Sequence, residues 1–350
     1  MKKKVVVGMS GGVDSSVTAL LLKEQGYDVL GVTMITHTKE GEYEPEFVED
    51  ARRVAKLLEI PFYTADFRGV FKEKVMDYFV SEYQQGRTPN PCIMCNRYVK
   101  WEALLHRGME LNADYVATGH YGKIIHLPNG RYSVAKSYSE GKDQSYVLHS
   151  LTQWELEKTL FPLYDYDKAQ IRKIAEENNL PVAHKKDSQE ICFIPDNDYA
   201  SFIEKKAGDK VPGPGKFVTT DGTVIGQHKG ITHYTIGQRK GLNLSMGHPA
   251  FVTKICAKTG DVVIGKNEDV FATTLICDRV NFMGMENLEE PRRVMAKIRY
   301  AHKGDMCLLE KIDDNRIKCT FENPVRAITP GQAVVFYEQD YVLGGGTIIA

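Results

Sequence analysis

A short segment rich in glycine and serine, Gly8-Met9-Ser10-Gly11-Gly12-Val13-Asp14-Ser15-Ser16, separates an apolar run over residues 5–9 from a helical pattern over residues 14–25. The free N–H groups of a first helical turn point into such a loop, where the helix dipole favours an anion. The glycines let the backbone curl closely, the serines add hydroxyl donors, and Asp14 can cap the helix or bind a metal-linked water. The segment therefore predicts a phosphate-binding loop.

This segment differs from two widespread phosphate motifs. It has no Gly-Lys-Ser/Thr, which excludes a Walker-type loop, and its glycines do not fit the G-x-G-x-x-G spacing of dinucleotide-binding folds. The alternative interpretation is an ordinary strand–helix turn capped by serine. Two glycines and three serines around one acid exceed what such a turn needs.

Strand and helix patterns alternate over the first ~190 residues. Strand candidates at 29–35, 62–65 and 115–118 are separated by helical patterns such as 70–83 and 98–110. Alternation of this kind predicts an α/β fold with a parallel sheet covered on both faces.

A different pattern begins near residue 200. The turn-rich segment Lys210-Val-Pro-Gly-Pro-Gly215 is followed by short β-like runs broken by glycines. We therefore expect three parts: an α/β catalytic domain at 1–200, a small β-rich central domain at 201–268 and a C-terminal β-barrel domain at 269–350.

Composition narrows the class of protein. The 350 residues include 45 Lys+Arg and 46 Asp+Glu, a net charge of −1. No apolar stretch approaches the ~20 residues that a membrane helix needs, and the N-terminus lacks the apolar region of a signal peptide. We expect a cytoplasmic protein without a membrane partner.

Positive charge is concentrated locally. Residues 227–258 contain five Lys/Arg and no Asp or Glu, and residues 291–326 contain nine Lys/Arg against five Asp/Glu. These segments favour contacts with RNA phosphates. Solvated faces of small β domains are the alternative interpretation.

The seven cysteines are odd in number and widely spread, which argues against a disulfide framework. Cys92 and Cys95 lie in Thr88-Pro89-Asn90-Pro91-Cys92-Ile93-Met94-Cys95-Asn96. Cys192 lies in Asp187-Ser188-Gln189-Glu190-Ile191-Cys192-Phe193, after the basic stretch His184-Lys185-Lys186. A helix start near Cys95 and positive charge near Cys192 predict lowered thiol pKa values.

Packing and metal binding are the other roles open to cysteine. A Cys-x-x-Cys pair can be half of a zinc site, but no second pair completes four ligands. The remaining cysteines lie in β-like apolar runs, which is typical of buried packing residues; they are Cys256, Cys277, Cys307 and Cys319.

Together these motifs resemble a known family. Ser10-Gly11-Gly12-Val13-Asp14-Ser15 matches the pyrophosphate-loop signature of the ATP pyrophosphatases, which cleave ATP between the α- and β-phosphates with Mg²⁺. With both cysteine segments included, the chain is similar over its whole length to the tRNA-specific 2-thiouridylases. Further matching segments are Ala117-Thr118-Gly119-His120-Tyr121, Gly141-Lys142-Asp143-Gln144-Ser145-Tyr146 and His233-Tyr234-Thr235-Ile236-Gly237-Gln238-Arg239-Lys240-Gly241.

The resemblance implies a role for each motif. Cys192 would carry sulfur as a persulfide, and Cys95 would be the partner nucleophile, so that the two end as a disulfide. The implied ATP contacts are Gly8, Met9, Ser10, Gly11, Gly12, Val13, Asp14, Ser15, Met34 and Gly119. The implied tRNA contacts are Asn90, Pro91 and Cys92 near the target base, with His120, Lys142, Asp143, Gln144, Arg299, Tyr300 and Gln332 elsewhere.

The implied reaction is ATP-dependent 2-thiolation of the wobble uridine of tRNA. Adenylation of uracil O2 converts a poor leaving group into AMP, which sulfur then displaces. The resemblance further implies tRNAs for Lys, Glu and Gln as substrates, and a cysteine desulfurase or sulfur-relay protein as sulfur donor.

One departure leaves the mechanism open. Many family members have Asp where this chain has Cys92, so a candidate acid–base group is missing. Cys92, Cys95 and Cys192 could instead hold an iron–sulfur cluster. An ATP-dependent ligase acting on a small metabolite and a non-catalytic nucleotide-binding RNA adaptor are the remaining alternatives; the ligase would need neither Cys95 nor Cys192.

Overall fold

The computed structural model describes residues 2–38, 44–186, 191–194 and 196–350. Part of the second cysteine segment, Asp187-Ser188-Gln189-Glu190, lies outside the described residues. Among the described helices, none has both the length and the apolar character to cross a membrane.

Helices are concentrated in the first two thirds of the chain. Two π-helical segments, Lys72–Asp77 and Cys95–Ala103, join α3 to α4 and α5 to α6. The α-helices of the described residues are α1 (Val13–Glu24), α2 (Glu46–Leu57), α3 (Arg68–Phe71), α4 (Tyr78–Gln84), α5 (Pro91–Met94), α6 (Leu104–Glu110), α7 (Ser145–Leu148), α8 (Gln153–Glu157), α9 (Lys168–Glu177) and α10 (Tyr199–Ala207).

The strands form three sheets. In chain order they are β1 (Lys4–Gly8), β2 (Asp28–Ile35), β3 (Phe62–Asp66), β4 (Tyr115–Ala117), β5 (Lys123–His126), β6 (Tyr132–Ala135), β7 (Thr159–Leu160), β8 (Gly215–Thr219), β9 (Val224–His228), β10 (Phe251–Cys256), β11 (Asp261–Gly265), β12 (Phe271–Phe282), β13 (Arg292–Lys297), β14 (Asp305–Lys311), β15 (Ile317–Arg326), β16 (Ala333–Glu338) and β17 (Tyr341–Ile348).

The first sheet is parallel throughout, in the order β3-β2-β1-β4-β7. Val5, Val6 and Val7 of β1 are fully buried because helices cover both faces. The α1, α2 and α9 helices pack on one face, and α6 packs on the other. The predicted α/β fold with a parallel sheet is confirmed.

The loop after β1 occupies a special place in this sheet. The chain passes from β1 to β2 on one side, whereas β4 pairs with β1 on the other side. In open α/β sheets, ligands bind outside the carboxyl ends of the strands where the strand order reverses in this way. The predicted phosphate loop therefore lies where the topology favours a ligand.

The rest of the chain is mostly β-structure. A four-stranded sheet has the order β10-β11-β8-β9. Six antiparallel strands, in the order β12-β15-β14-β13-β16-β17, close into a barrel through the β12–β17 pairing. Cys277, Cys307 and Cys319 are buried there as predicted, whereas Cys256 is half-buried in β10.

A hairpin from the first part of the chain extends the barrel sheet. The β5 and β6 strands pair with each other, and Ala135 lies opposite Tyr341 of β17. The side chain of Arg131 donates to the carbonyl oxygens of Met283 and Phe282. The sequence patterns did not predict this hairpin. The division at 1–200, 201–268 and 269–350 stays a prediction.

Candidate functional site

The loop between β1 and α1 is tightly curled. Gly11 has a φ of +66°, and a Cβ there would lie 2.3 Å from the carbonyl oxygen of Phe47. The Ser15 hydroxyl accepts from the backbone N–H of Ser10 at 3.1 Å and donates to the Gly12 carbonyl at 3.2 Å. The loop thus has the backbone cradle and hydroxyl groups that a phosphate needs.

Asp14, at the start of α1, has two partners from distant segments. The Tyr121 hydroxyl donates to Asp14 Oδ1 at 2.7 Å, and Lys168 Nζ lies 2.8 Å from both carboxylate oxygens. Lys168 is the first residue of α9, which Asp167 caps through a capping box. Sequence reasoning missed Lys168 because nothing local connects it to the loop.

The predicted ATP contacts Met34 and Gly119 flank this loop. A Cβ on Gly119 would lie 2.8 Å from the backbone nitrogen of Ser15, so the end of β4 packs directly against α1. A Cβ on Gly8 would lie 3.3 Å from Met34 Cε. The structure brings all the predicted ATP-binding residues to one edge of the sheet; their contacts with ATP stay a prediction.

The helix that carries Cys92 and Cys95 begins at a well-defined point. Asn90 caps it, since its Oδ1 accepts from the backbone N–H of Cys92 at 3.1 Å, and Pro91 occupies the first turn. Cys92 is exposed, whereas Cys95 is half-buried at the start of the π-helical segment.

The structure brings Cys95 and Cys192 together. Cys95 and Ile191 both pack against one apolar cluster, which includes Phe193. Burial raises the pKa of Cys95 to about 12; the Lys100 ammonium opposes this rise, and the Cys192 and Cys92 thiols add to it. Burial also raises the pKa of Cys192, with a further rise from Cys92, although the Cys192 side chain is exposed at the surface. Three thiols and one ammonium therefore share one site.

The prediction of lowered thiol pKa values is wrong. Cys95 lies beyond the first turn of its helix, so it receives little of the helix dipole. The Asn96 amide is buried and donates to the Val147 carbonyl instead. Lys185 donates to the Gly11 carbonyl at 3.1 Å and pairs with Asp50, so its positive charge lies at the phosphate loop and not at Cys192. Burial therefore dominates at both thiols.

Lys100 is a second residue that sequence reasoning missed. Five residues along an α-helix correspond to a rotation of about 140°, but the i→i+5 bonding of a π-helix places residues five apart next to each other. The segment Cys95–Ala103 is π-helical, so Lys100 follows Cys95 along one face. The spacing alone gave no signal, because a helical pattern does not reveal a π-segment.

Lys100 also determines the tautomer and the protonation state of His120. Its Nζ lies 3.4 Å from His120 Nε2, and since an ammonium only donates, Nε2 accepts. The Nδ1–H then donates to Thr118 Oγ1 at 2.8 Å. Burial, with the charge of Lys100, holds the His120 pKa well below 6.5. The imidazole is therefore neutral, and it links the end of β4 to the thiol site.

The described residues do not form a metal centre. No group of three or more His, Cys, Asp or Glu within them is arranged to hold a metal ion. Cys92, Cys95 and Cys192, as the structure places them, are therefore neighbours without the geometry of a cluster site.

The predicted tRNA contacts differ in exposure. His120 and Asp143 are buried, and Asp143 accepts from the Ser145 hydroxyl at 2.9 Å. Tyr300 is exposed; partial burial raises its pKa, with further rises from Asp143 and Cys92. The segments around Cys92, Asp143 and Tyr300 thus meet near the thiols.

The other predicted tRNA contacts have partners within the protein. Gln144 Oε1 accepts from the backbone N–H of Tyr121, and Arg299 donates to the Arg326 carbonyl. Gln332 Nε2 donates to the Thr88 carbonyl at 2.8 Å, just before the Asn90 cap. Lys142 is half-buried next to Asp143. All these contacts with tRNA stay predictions.

The two basic segments are not equivalent. In residues 291–326, most positive charges pair with acids, as Arg293 does with Glu322 and Arg316 with Asp313. In residues 227–258, the five Lys/Arg are exposed and form no ion pair with any residue that the structure describes. Residues 227–258 therefore carry positive charge that has no acidic partner among the described residues.

Three family models match successive segments of the chain. Residues 3–196 match the family model described as tRNA methyl transferase HUP domain. Residues 200–266 match tRNA methyl transferase PRC-barrel domain, and residues 272–348 match Aminomethyltransferase beta-barrel domain.

Full-length relatives are similar at high identity. The tRNA-specific 2-thiouridylase MnmA of Lachnoclostridium phytofermentans is 56% identical over 356 residues, which cover 99% of each chain. That of Clostridium perfringens is 53% identical over 355 residues, which cover 99% of this chain and 98% of the relative. A solved 4-thiouridine synthetase–RNA complex with bound ATP shares 18% identity over 59% of this chain and 51% of that chain; its TM-score of 0.38 supports no conclusion.

Proposed function

The chain belongs to the family of tRNA-specific 2-thiouridylases, and we propose that it uses ATP to replace O2 of the wobble uridine of tRNA with sulfur. The observation that carries this proposal is the placement of Cys95 and Cys192 in one site. Lys100 and His120 connect that site to the end of β4, which packs against the loop between β1 and α1. The candidate phosphate loop, which we call the nucleotide end, and the site of the three thiols, which we call the thiol end, are therefore neighbours.

The chemistry divides between these two ends. At the loop, uracil O2 attacks the α-phosphate of ATP, and pyrophosphate leaves. At the thiol site, the terminal sulfur of a Cys192 persulfide attacks C2, and AMP leaves. Cys95 then attacks Cys192 Sγ, so that the C2–sulfur bond stays with the base. The two cysteines are oxidised to a disulfide as the sulfane sulfur is reduced, and an external reductant restores them.

The loop residues fit the nucleotide end. The curl at Gly11, which a Cβ would block, suits close approach of the backbone to phosphate. Lys168 and Asp14 supply one cation and one carboxylate at the same point. Mg²⁺, when bound, would neutralise phosphate charge, and Asp14 is the residue that would hold it.

The thiol site fits the sulfur end. Burial keeps Cys95 protonated until substrate arrives, and Lys100 supplies the charge that favours its thiolate. Cys92 provides no carboxylate beside Cys95, so this chain must move protons through another group.

We propose the tRNAs for Lys, Glu and Gln as substrates, and a cysteine desulfurase or sulfur-relay protein as the source of the persulfide. The reaction would take place in the cytoplasm. We also propose that the roles divide among a catalytic part at 1–200, a central part at 201–268 and a barrel at 269–350.

Nucleoside mass spectrometry tests the proposal. Purified protein, unmodified tRNA, ATP, Mg²⁺ and a persulfide donor should yield 2-thiouridine, together with AMP and pyrophosphate. Cys95→Ser and Cys192→Ser should abolish the product, whereas Cys256→Ser, at a half-buried cysteine of β10, should not. Full turnover by both serine variants would refute the proposal in favour of a ligase. Iron analysis after anaerobic purification should find no stoichiometric iron.

A further inference from the structure

Thr88 lies at a junction of all three parts of the molecule. Its backbone N–H donates to the Pro330 carbonyl at 2.8 Å, and its carbonyl accepts from Gln332 Nε2 at 2.8 Å. Its hydroxyl lies 3.1 Å from the hydroxyl of Thr235 in the central part. Every polar group of this one residue is therefore bonded to another part of the chain.

The barrel side of the junction is closely packed and hydrogen-bonded. Gly331 is buried at a φ of +92°, and a Cβ there would lie 2.9 Å from the nitrogen of Thr88. The Gly331 N–H donates to the Ile348 carbonyl, and the Ile348 N–H donates to the Gln332 carbonyl. The loop at residues 330–332, which bonds Thr88, is thus hydrogen-bonded to the last strand of the closed barrel.

The junction immediately precedes the cysteine helix. Two residues separate Thr88 from Pro91, and Asn90 caps the helix that carries Cys92 and Cys95. Because helix geometry is stiff, the position of its first turn determines where the Cys95 thiol lies relative to Cys192.

We propose that Gln332 is a positioning residue, through which the barrel sets the start of the cysteine helix and so holds Cys95 against Cys192. This inference rests on the proposed function for its catalytic consequence. The effect of Gln332 on the position of Cys95 concerns the protein alone and does not depend on the proposed function. The inference assigns to the Gln332 side chain a bond to Thr88 within the protein.

The test is the rate at which Cys95 and Cys192 form a disulfide in the protein without ATP or tRNA. Diamide serves as oxidant: it takes up two electrons and two protons as the thiols join, and mass spectrometry identifies the linked peptides. Gln332→Ala and the shape-conserving Gln332→Glu should slow this reaction about tenfold. Both should lower kcat for thiolation by a similar factor.

A matched control separates positioning from general stability. Gln153 is likewise a glutamine between the first part and the barrel: its Nε2 donates to the carbonyls of Tyr132 and Met283. Gln153→Ala should lower the melting temperature without changing the disulfide rate. An unchanged disulfide rate in folded Gln332→Glu, or a tenfold loss of tRNA affinity with that rate unchanged, would overturn the inference. Failure of the unmodified protein to thiolate tRNA would refute the proposed function and leave the disulfide measurement valid.

Discussion

The ammonium of Lys168 lies 2.8 Å from both carboxylate oxygens of Asp14, although 154 positions separate the two residues. The pair is partly buried, with side-chain exposures of 17% for Lys168 and 30% for Asp14. It stands at the start of α1, where the phosphates of a nucleotide would meet the helix. Binding of ATP with Mg²⁺ would give each charge a new partner, the ammonium a phosphate and the carboxylate the metal.

Lys168→Met should therefore weaken ATP binding. A charged hydrogen bond is worth about 1.5–3 kcal/mol, which corresponds to a loss of affinity of roughly 10- to 100-fold. Calorimetry with a non-hydrolysable ATP analogue and Mg²⁺ measures this change, and tRNA affinity should not change. Lys173→Met is the control, since Lys173 lies on the same helix and pairs with Glu177 at the surface. Equal ATP affinity in both variants would contradict the assignment.

Gly119→Ala should disturb the same site from the other side. The added methyl would lie 2.8 Å from the Ser15 nitrogen and 2.9 Å from Asp14 Cβ, so α1 or β4 must move. Overpacking of this kind costs typically ~1–3 kcal/mol of folding free energy, and we expect ATP affinity to fall at least tenfold. Thermal unfolding and nucleotide calorimetry measure the two effects. Gly69→Ala, where nothing lies within 4 Å of the new Cβ, should change neither by as much.

The reactivity of Cys95 should report its raised pKa. A thiol with a pKa of about 12 is protonated at neutral pH, and its thiolate fraction rises about tenfold per pH unit below that pKa. Alkylation of the Cys95 peptide by iodoacetamide, followed by mass spectrometry, should therefore accelerate steadily from pH 7 to pH 10. A rate that levels off near pH 9 would show that burial does not govern this thiol.

Lys100→Met extends that measurement. Removal of the ammonium takes away the charge that opposes the effect of burial, so the Cys95 pKa should rise further and alkylation at pH 8 should slow. Lys74→Met is the control, because Lys74 pairs with Glu73 on the other π-helical segment and does not contribute to the Cys95 pKa. Faster alkylation in Lys100→Met would reverse the sign of the proposed interaction.

The features that the sequence predicted correctly depend on residues close together in the chain. The glycine and serine segment after β1 and the alternation of strands with helices depend on near neighbours, so their patterns predicted both the loop and the parallel sheet. The pairing of β6 with β17 and the closure of β12 on β17 join segments far apart in the chain, and such pairing leaves no local pattern.

In the candidate site, too, local features were predicted and features that depend on the folded chain were not. The motifs located Cys95 and Cys192, but their pKa values depend on burial, which only the folded chain creates. Lys168 and Lys100 escaped prediction for related reasons: one is distant in sequence, and the other reaches the site through a π-helical segment.

The basic segment at residues 227–258 should carry tRNA affinity. Arg239 and Lys240 are exposed and lie in residues 227–258, which contain no acidic residue. Their double replacement by alanine should weaken tRNA binding and reduce the slope of log K against log salt by roughly 0.7–0.9 for each phosphate that the variant no longer neutralises. The control is the double variant Arg316→Ala/Lys318→Ala, since these charges already pair with Asp313 and Glu310. Filter binding from about 50 to 200 mM salt compares the slopes. If the control lowers the slope more than the Arg239/Lys240 variant does, the barrel and not the central part provides the main electrostatic attraction for tRNA.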